Sequence, residues 1–362
     1  MDRTVRVSLG SRSYTIHIGQ GALDAAGDLI KSHVEPSRAF VVTDENVAPL
    51  YLSRLVHSLE GGGFDVESVT VPAGEASKSL SVVADLYDRL ASLRFRRDEL
   101  IVGLGGGVVG DLAGFVASTW LRGVPFVQVP TTVLAQVDSS VGGKVGVNHP
   151  QGKNLIGSFY QPLLVVIDPS VLATLPEREV WAGLAEVVKY GFIADERLFS
   201  ELESSLQRLV ANPLAEQWIG ILARCCSIKA QVVEQDEHDL GFRHVLNFGH
   251  TVGHALEAAT GYQRYRHGEA VVIGMRAALW LSHWNSGLTE EALQRGLAAL
   301  DQFPVGPPSD LSAEQLIPYL ATDKKRTAVG QKWVLLQRIG QAAIASGLPD
   351  DSVLRAIKNV LR

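Results

Sequence analysis

The stretch Glu99-Leu100-Ile101-Val102-Gly103-Leu104-Gly105-Gly106-Gly107-Val108-Val109-Gly110-Asp111 decides the fold. An apolar run of strand length meets a glycine turn, and a helix opens directly after it. The turn satisfies G-x-G-x-x-G in the position that motif requires. Glycine lets the backbone approach a pyrophosphate, and a helix N-terminus favours negative charge. A tight turn with no ligand has the same sequence, so the motif alone leaves both readings open. Two details depart from the ordinary dinucleotide fingerprint. The region where an acidic residue is expected reads Phe126-Val127-Gln128-Val129, and the turn lies deep in the chain, not on its first strand. Asp44, ending an earlier strand, is an alternative partner for a ribose hydroxyl.

Working outward, strands and helices alternate on both sides of this turn. Ala39 to Thr43 is a β-branched run ending at Asp44, and a helical stretch follows from about Val47 to Leu59. Phe64 to Val71 reads as the next strand, and Ser79 to Leu93 has a helical period at Leu80, Val83, Leu86, Leu90 and Leu93. Phe126 to Val129 is a further strand. Such alternation predicts a parallel, Rossmann-like sheet covered by helices. After Leu164 to Pro169 the periods turn almost wholly helical, with candidates at Glu177–Ile193, Leu198–Asn212, Glu216–Asp236, Gly249–Ala259, Glu269–Ser286 and Glu290–Phe303. One late strand is expected from Trp333 to Gln337. The reading is an α/β domain over residues 1–174 and a mainly α-helical domain over 175–362, as suits a chain of 362 residues.

Composition narrows the function. Hydrophobic residues make up 46% and charged ones 20%, which fits a folded protein and not a disordered one. The formal charge is −6 and there is no long basic tract, so nucleic acid is not expected as a partner. The longest apolar stretch, Leu100 to Leu121, is broken by Asp111 and rich in glycine, whereas a membrane span needs about 20 uninterrupted apolar residues. No membrane association is expected. The N-terminus alternates like a strand, unlike a signal peptide, and the two cysteines, Cys225 and Cys226, are adjacent. Neighbours of that kind rarely pair, which points to a reducing, cytoplasmic setting.

The chemistry lies where charge meets apolar sequence. Six of the ten histidines fall between residues 238 and 283. His250, His254 and Glu257 recur at i, i+4, i+7 as a polar stripe, and two histidines at i, i+4 can reach one metal. His267 stands at the start of a helix that is apolar nearly all round. Glu186 sits within Val180 to Val188, an equally apolar helix, where a buried carboxylate costs several kcal/mol, on the order of 3, unless a cation compensates it. The plain partner is Lys189 at i+3, and the sharper one is a metal. A His₂Glu set leaves a coordination position open, as a catalytic zinc site needs. Lys144, Lys153, Lys189, Lys229 and Arg243 also lie in glycine-rich or apolar contexts, as do Lys324 and Lys325 near a loop. Together they suggest a small polyanionic substrate.

Six segments together resemble the 3-dehydroquinate synthase family within the sugar phosphate cyclases: GEASKS (74–79), GGGVVGDLAGF (105–115), QVPTTVLAQVDSSVGGKVGVNHPQGKNLIG (128–157), GLAEVVKYG (183–191), LNFGHTVGH (246–254) and HGEAV (267–271). The set is far more specific than any motif within it. The resemblance implies an NAD-binding α/β domain and a helical, metal-binding domain, with zinc or cobalt as the metal, in a cytoplasmic homodimer. It implies conversion of 3-deoxy-D-arabino-heptulosonate 7-phosphate to 3-dehydroquinate and phosphate in the shikimate pathway. The implied course is transient oxidation by NAD, phosphate elimination, reduction, ring opening and aldol closure.

Carried over by position, the resemblance implies Glu186, His250 and His267 as metal ligands, with His254 moved to the substrate pocket. Asp44, Glu75, Lys78, Gly107, Val108, Val109, Gly110, Asp111, Thr131, Thr132, Lys144, Lys153 and Thr174 match NAD-contacting positions. Asp138, Lys144, Asn154, Lys189, Lys229, Arg243 and Asn247 match the substrate pocket. Arg122 matches an arginine that reaches the neighbouring subunit's phosphate site, and one of Lys324 and Lys325 is expected to close over the substrate. Asp239 stands where some members carry glutamate. The alternatives are another sugar phosphate cyclase, a metal- and NAD-dependent polyol dehydrogenase, and a non-catalytic NAD-binding regulator.

Overall fold

The structure, a computed structural model, describes residues 2–308, 310–324 and 331–361. In chain order the first elements are β1 (Arg3–Val7), β2 (Tyr14–Ile18), α1 (Ala26–Lys31), β3 (Arg38–Asp44), α2 (Ser53–Gly61), β4 (Asp65–Val71), α3 (Leu80–Ser92), β5 (Leu100–Gly105), α4 (Gly107–Thr119), β6 (Phe126–Pro130), β7 (Lys144–His149), β8 (Gly152–Phe159) and β9 (Leu164–Ile167). Then come α5 (Glu177–Ala194), α6 (Glu196–Glu203), α7 (Leu206–Ala211), α8 (Gln217–Gln235), α9 (His250–Ala259), α10 (His267–Asn285), α11 (Glu290–Leu300), α12 (Ala313–Lys324), β10 (Lys332–Arg338), β11 (Gln341–Ser346) and α13 (Asp350–Val360).

The chain forms two compact units, one of residues 1–175 and 213–238, the other of 176–212 and 239–362. In the first unit seven strands form a sheet in the order β1-β2-β9-β6-β5-β3-β4. All neighbours are parallel except β1 and β2, which pair antiparallel. The sheet is thus parallel-dominated, as expected, with one antiparallel edge. The short link from Val7 to Tyr14 has room for a reversal but not for a crossover helix. Side chains alternate across the sheet. Val41, Val102 and Leu104 pack with Leu23, Ile30, Leu55 and Leu59 of α1, α2 and their approach. Phe40, Val42 and Ile101 pack with Leu86, Leu90, Leu112 and Val116 of α3 and α4. Each fully buried Leu, Val or Phe contributes about 1.5–3 kcal/mol.

Glycine lets α4 sit almost on the strands. A Cβ at Gly110 would lie 2.7 Å from Gln128 Oε1, and one at Gly114 would lie 2.4 Å from Val145 Cγ1. A side chain at either position would lift the helix and the turn at its N-terminus. The β7–β8 hairpin was not foreseen.

Two further differences concern helices. The expected helix over 198–212 is broken into α6 and α7 at Ser204-Ser205, where both hydroxyls donate to the Glu201 carbonyl. Helix α8, expected in the helical domain, belongs to the first unit, where it packs along β1 and Cys226 Sγ donates to the Gln136 carbonyl. Its period made it a helix, but did not say which surface its apolar face meets.

The second unit packs α9, α10, α12 and α13 around Leu256, Ile273, Leu281, Leu316 and Ile357, with Trp333 and Leu335 of β10 closing the cluster. The expected late strand is there, and it pairs antiparallel with β11. Helix α10 meets α5 at Gly268, where an added Cβ would stand 1.9 Å from the Ala182 carbonyl oxygen. Among the described residues, no helix is long and apolar enough to cross a membrane.

Candidate metal centre and nucleotide cradle

In the first unit the glycine turn ends β5, and α4 begins at Gly107. A Cβ on Gly106 would lie 3.2 Å from Thr132 Cγ2, and one on Gly107 would lie 3.0 Å from Ser139 Oγ. Thr132 and Ser139 thus wall a turn whose backbone remains approachable. Val109 and Gly110 are buried beneath it. Thr131 is buried with its hydroxyl unpaired, as is the hydroxyl of Ser139, while Thr132 Oγ1 caps the Ala135 N–H at 3.1 Å.

Beside the turn, Lys78 Nζ donates to Asp111 Oδ2 at 2.6 Å and to Asn154 Oδ1 at 2.5 Å. Burial pushes the Asp111 carboxyl above its ordinary range, and the Lys78 charge opposes that shift. Asn154 has φ 56°, a conformation that asparagine tolerates better than most residues. Its N–H donates to Asn148 Oδ1 at 2.9 Å, and Asn148 Nδ2 donates to Glu75 Oε1 at 2.8 Å. Glu75, Lys78, Asp111 and Asn154, assigned from three separate segments, therefore form one network. Asn148 joins it and was not singled out in the sequence, because nothing marks it before the hairpin folds.

Asp44 is half-buried at the end of β3. Its Oδ1 accepts the Asn46 and Val47 N–H groups at 2.8 and 3.0 Å and so closes its own turn. Thr174 Oγ1 pairs with the Tyr51 hydroxyl at 2.6 Å. Lys229, buried on α8, forms an ion pair with Asp138 and also donates to its carbonyl. Lys144 is exposed and Lys153 half-buried on the hairpin. Arg122 is exposed at φ 69°, next to Leu121 at φ 47°.

In the second unit, Glu186 on α5 is wholly buried. Its Oε1 lies 3.6 Å from Nε2 of His250 and 3.6 Å from Nε2 of His267. Lys189 forms an ion pair with Oε2, yet neither oxygen receives a hydrogen bond of acceptable geometry. The lysine expected as the plain partner of Glu186 is beside it, and so are two imidazoles. Each imidazole is held by its other nitrogen. His250 Nδ1 lies 3.2 Å from the Phe248 carbonyl, and His267 Nδ1 lies 3.4 Å from Glu257 Oε2. Burial holds the His250 ring well below its ordinary pKa, and the charge of Lys189 adds to this, so the ring is neutral and its Nε2 lone pair is available.

A buried carboxylate facing two such nitrogens fits a divalent cation. Ligand atoms around a tetrahedral zinc are separated by roughly 3.4 Å, close to the spacings found here. His254 is also near, since its ligand atom lies within 4.8 Å of those of His250 and His267. Proximity alone does not separate His254 from Glu186 as the third ligand. The carboxylate's burial and its paired 3.6 Å contacts favour Glu186. Arg243 is buried, and Asn247 Nδ2 pairs with His244 Nδ1 at 3.0 Å. Asp239 takes φ 54° in the loop before them. The side chain of Lys324 and the whole of Lys325 lie outside the described residues, and with them the choice between the two.

Comparison with known proteins identifies relatives of the whole chain. A family model for the 3-dehydroquinate synthase N-terminal region matches residues 68–182, and one for the C-terminal region matches 183–326. The 3-dehydroquinate synthase of Methylococcus capsulatus is 47% identical over 356 residues, covering 98% of each chain. That of Gloeobacter violaceus is 48% identical over 364 residues, covering 99% of each. Among solved structures, 2-epi-5-epi-valiolone synthase from Streptomyces hygroscopicus, with NAD⁺ and Zn²⁺ bound, superposes with a TM-score of 0.88 at 28% identity, covering 98% of each chain. A 2-deoxy-scyllo-inosose synthase complexed with carbaglucose-6-phosphate, NAD⁺ and Co²⁺ gives 0.88 at 27% identity, covering 99% of this chain and 100% of the other.

Proposed function

The chain belongs to the 3-dehydroquinate synthase family, and from that premise we propose that it converts 3-deoxy-D-arabino-heptulosonate 7-phosphate into 3-dehydroquinate and phosphate. In this reading it is a carbon–oxygen lyase of the shikimate pathway that uses NAD and a zinc or cobalt ion. The observation that carries the metal-dependent reading is Glu186 Oε1, set 3.6 Å from the Nε2 atoms of both His250 and His267.

Glu186, His250 and His267 would hold the cation. The glycine turn at Gly107 to Asp111, with Glu75, Lys78, Thr131, Thr132, Lys153 and Thr174, would hold the dinucleotide, and Asp44 its ribose. Bound NAD supplies a temporary hydride acceptor, and a bound cation supplies Lewis acidity at the carbinol being oxidised. The remaining groups handle anions and protons. Arg243, planar and always charged, suits the substrate carboxylate. Lys144 and Lys189 neutralise the phosphate, and Asn154 and His254 orient it as it leaves. Loss of phosphate breaks a C–O bond, and the proton from the adjacent carbon passes to the departing phosphate. Asp138, Lys229 and Asn247 fix the hydroxyl groups, so that ring opening and aldol closure proceed from one conformer. Bound NAD would serve as a catalyst with no net redox change over the cycle. The protein acts in the cytoplasm as a homodimer, with Arg122 reaching the partner's phosphate.

The test is phosphate release from 3-deoxy-D-arabino-heptulosonate 7-phosphate, with and without chelator. Release that stops on metal removal and returns with zinc or cobalt is expected. Absence of release, or release indifferent to the metal, overturns the reading. A polyol dehydrogenase would instead accumulate NADH. The higher identity to dehydroquinate synthases than to the two other cyclases favours the heptulosonate over other sugar phosphates.

A further inference from the structure

Glu257 lies seven residues after His250 on α9, so it shares that helix face. Its side chain is almost wholly buried, and Oε2 approaches His267 Nδ1 at 3.4 Å. The opposite nitrogen of the same ring, Nε2, faces Glu186 Oε1 at 3.6 Å. His267 is therefore spanned by two carboxylates, one at each nitrogen. His250 is built on the same plan, with the Phe248 carbonyl at Nδ1 and Glu186 at Nε2. A carboxylate or carbonyl behind an imidazole fixes the ring's rotation and its tautomer, and so decides which nitrogen meets a metal. A buried glutamate kept only for packing would gain nothing from this alignment, and its desolvation would oppose folding.

We propose that Glu257 is a positioning residue for the metal centre: it accepts a hydrogen bond from His267 Nδ1–H and thereby presents Nε2 to the cation. The proposal rests on the reading of Glu186, His250 and His267 as ligands. Glu257 itself does not bind the metal.

The experiment uses the full chain loaded with Co²⁺, whose visible absorption reports ligand geometry. Metal stoichiometry, the rate of Co²⁺ loss to excess chelator and the absorption spectrum are measured for wild type, E257Q, E257L and H267A. The thermal midpoint of each metal-free protein serves as the folding control. E257L is expected to lose Co²⁺ about 10- to 100-fold faster than wild type, with an altered spectrum and an unchanged metal-free midpoint. E257Q, which can still accept the hydrogen bond, falls between the two. If E257L does not fold, E257Q alone decides: faster loss with a shifted spectrum supports the proposal. Rates and spectra equal to wild type in every folded Glu257 variant overturn it. H267A separates the two claims. If it abolishes tight Co²⁺ binding while the Glu257 variants behave as wild type, only the positioning role fails. If H267A binds Co²⁺ as wild type does, the ligand assignment fails and the positioning role with it.

Discussion

Lys78 holds Asp111 and Asn154 at the same time, at 2.6 and 2.5 Å, and so ties the second turn of α4 to the β7–β8 hairpin. One ammonium group thus fixes the geometry of two segments assigned to ligand binding. Removing it frees the hairpin and strands a carboxylate.

K78M therefore leaves Asp111 without its cation. Breaking such a pair costs about 3 kcal/mol, the lower end of the usual range because Asp111 keeps some contact with solvent. The penalty depends on pH. Asp111 already titrates above its ordinary value in the folded protein because of burial, and losing Lys78 raises it further. A carboxyl raised by folding favours the native state at low pH, and that advantage is lost as pH rises through its folded value. The stability gap between wild type and K78M should widen as pH rises above the ordinary aspartate range, about pH 4. Urea midpoints above that pH measure it, and a gap that does not change with pH refutes the assignment.

E186Q and H254A distinguish the two histidine-containing ligand sets. With Glu186 as ligand, E186Q loses tightly bound metal, while H254A keeps it and loses turnover, by about 100-fold or more if His254 orients the leaving phosphate. Metal analysis of the dialysed proteins settles it. Full metal content in E186Q together with loss in H254A would assign the site to the three histidines.

G268A should be among the most damaging single changes in the second unit. The new methyl would stand 1.9 Å from the Ala182 carbonyl, a backbone atom that no rotamer change can move. Overpacking of this kind costs about 3 kcal/mol or more. Ala182 lies one turn before Glu186 and Gly268 directly after His267, so the same displacement should separate two ligands. Chemical denaturation and metal content should fall together. Wild-type values for both would show that α5 and α10 do not approach so closely.

Neither cysteine should react with a thiol reagent in the folded protein. Cys225 and Cys226 are buried and form no disulfide, and burial pushes the Cys226 thiol up to about 12, so thiolate is scarce at neutral pH. Two thiols should titrate only after denaturation. Rapid modification of the native protein would contradict the packing of α8.

Much of the fold was legible because burial on both faces of a parallel sheet and on one face of a helix imposes different periods. The strand at Leu100–Gly105, the turn and α4 follow directly from residues 99–115. The β7–β8 hairpin was hidden by its glycines and by polar residues such as Asn148 and Asn154, which answer to a network and not to a core. At the candidate metal centre, Glu186 stood out because it is a charge in an apolar helix. The contact of Glu257 with His267 did not, since it joins residues on either side of a turn whose path only the folded chain defines.

The return of residues 213–238 to the first unit has a consequence for biogenesis. The polypeptide passes from one unit to the other three times, after residues 175, 212 and 238. On the ribosome, the sheet-bearing unit must wait for α8 before Cys226 and Lys229 can settle against Gln136 and Asp138. By then α5 to α7, a fragment of the later unit, have already emerged without the partners that cover them. The register between synthesis and collapse, and any chaperone dependence it brings, is written into the position of a single helix.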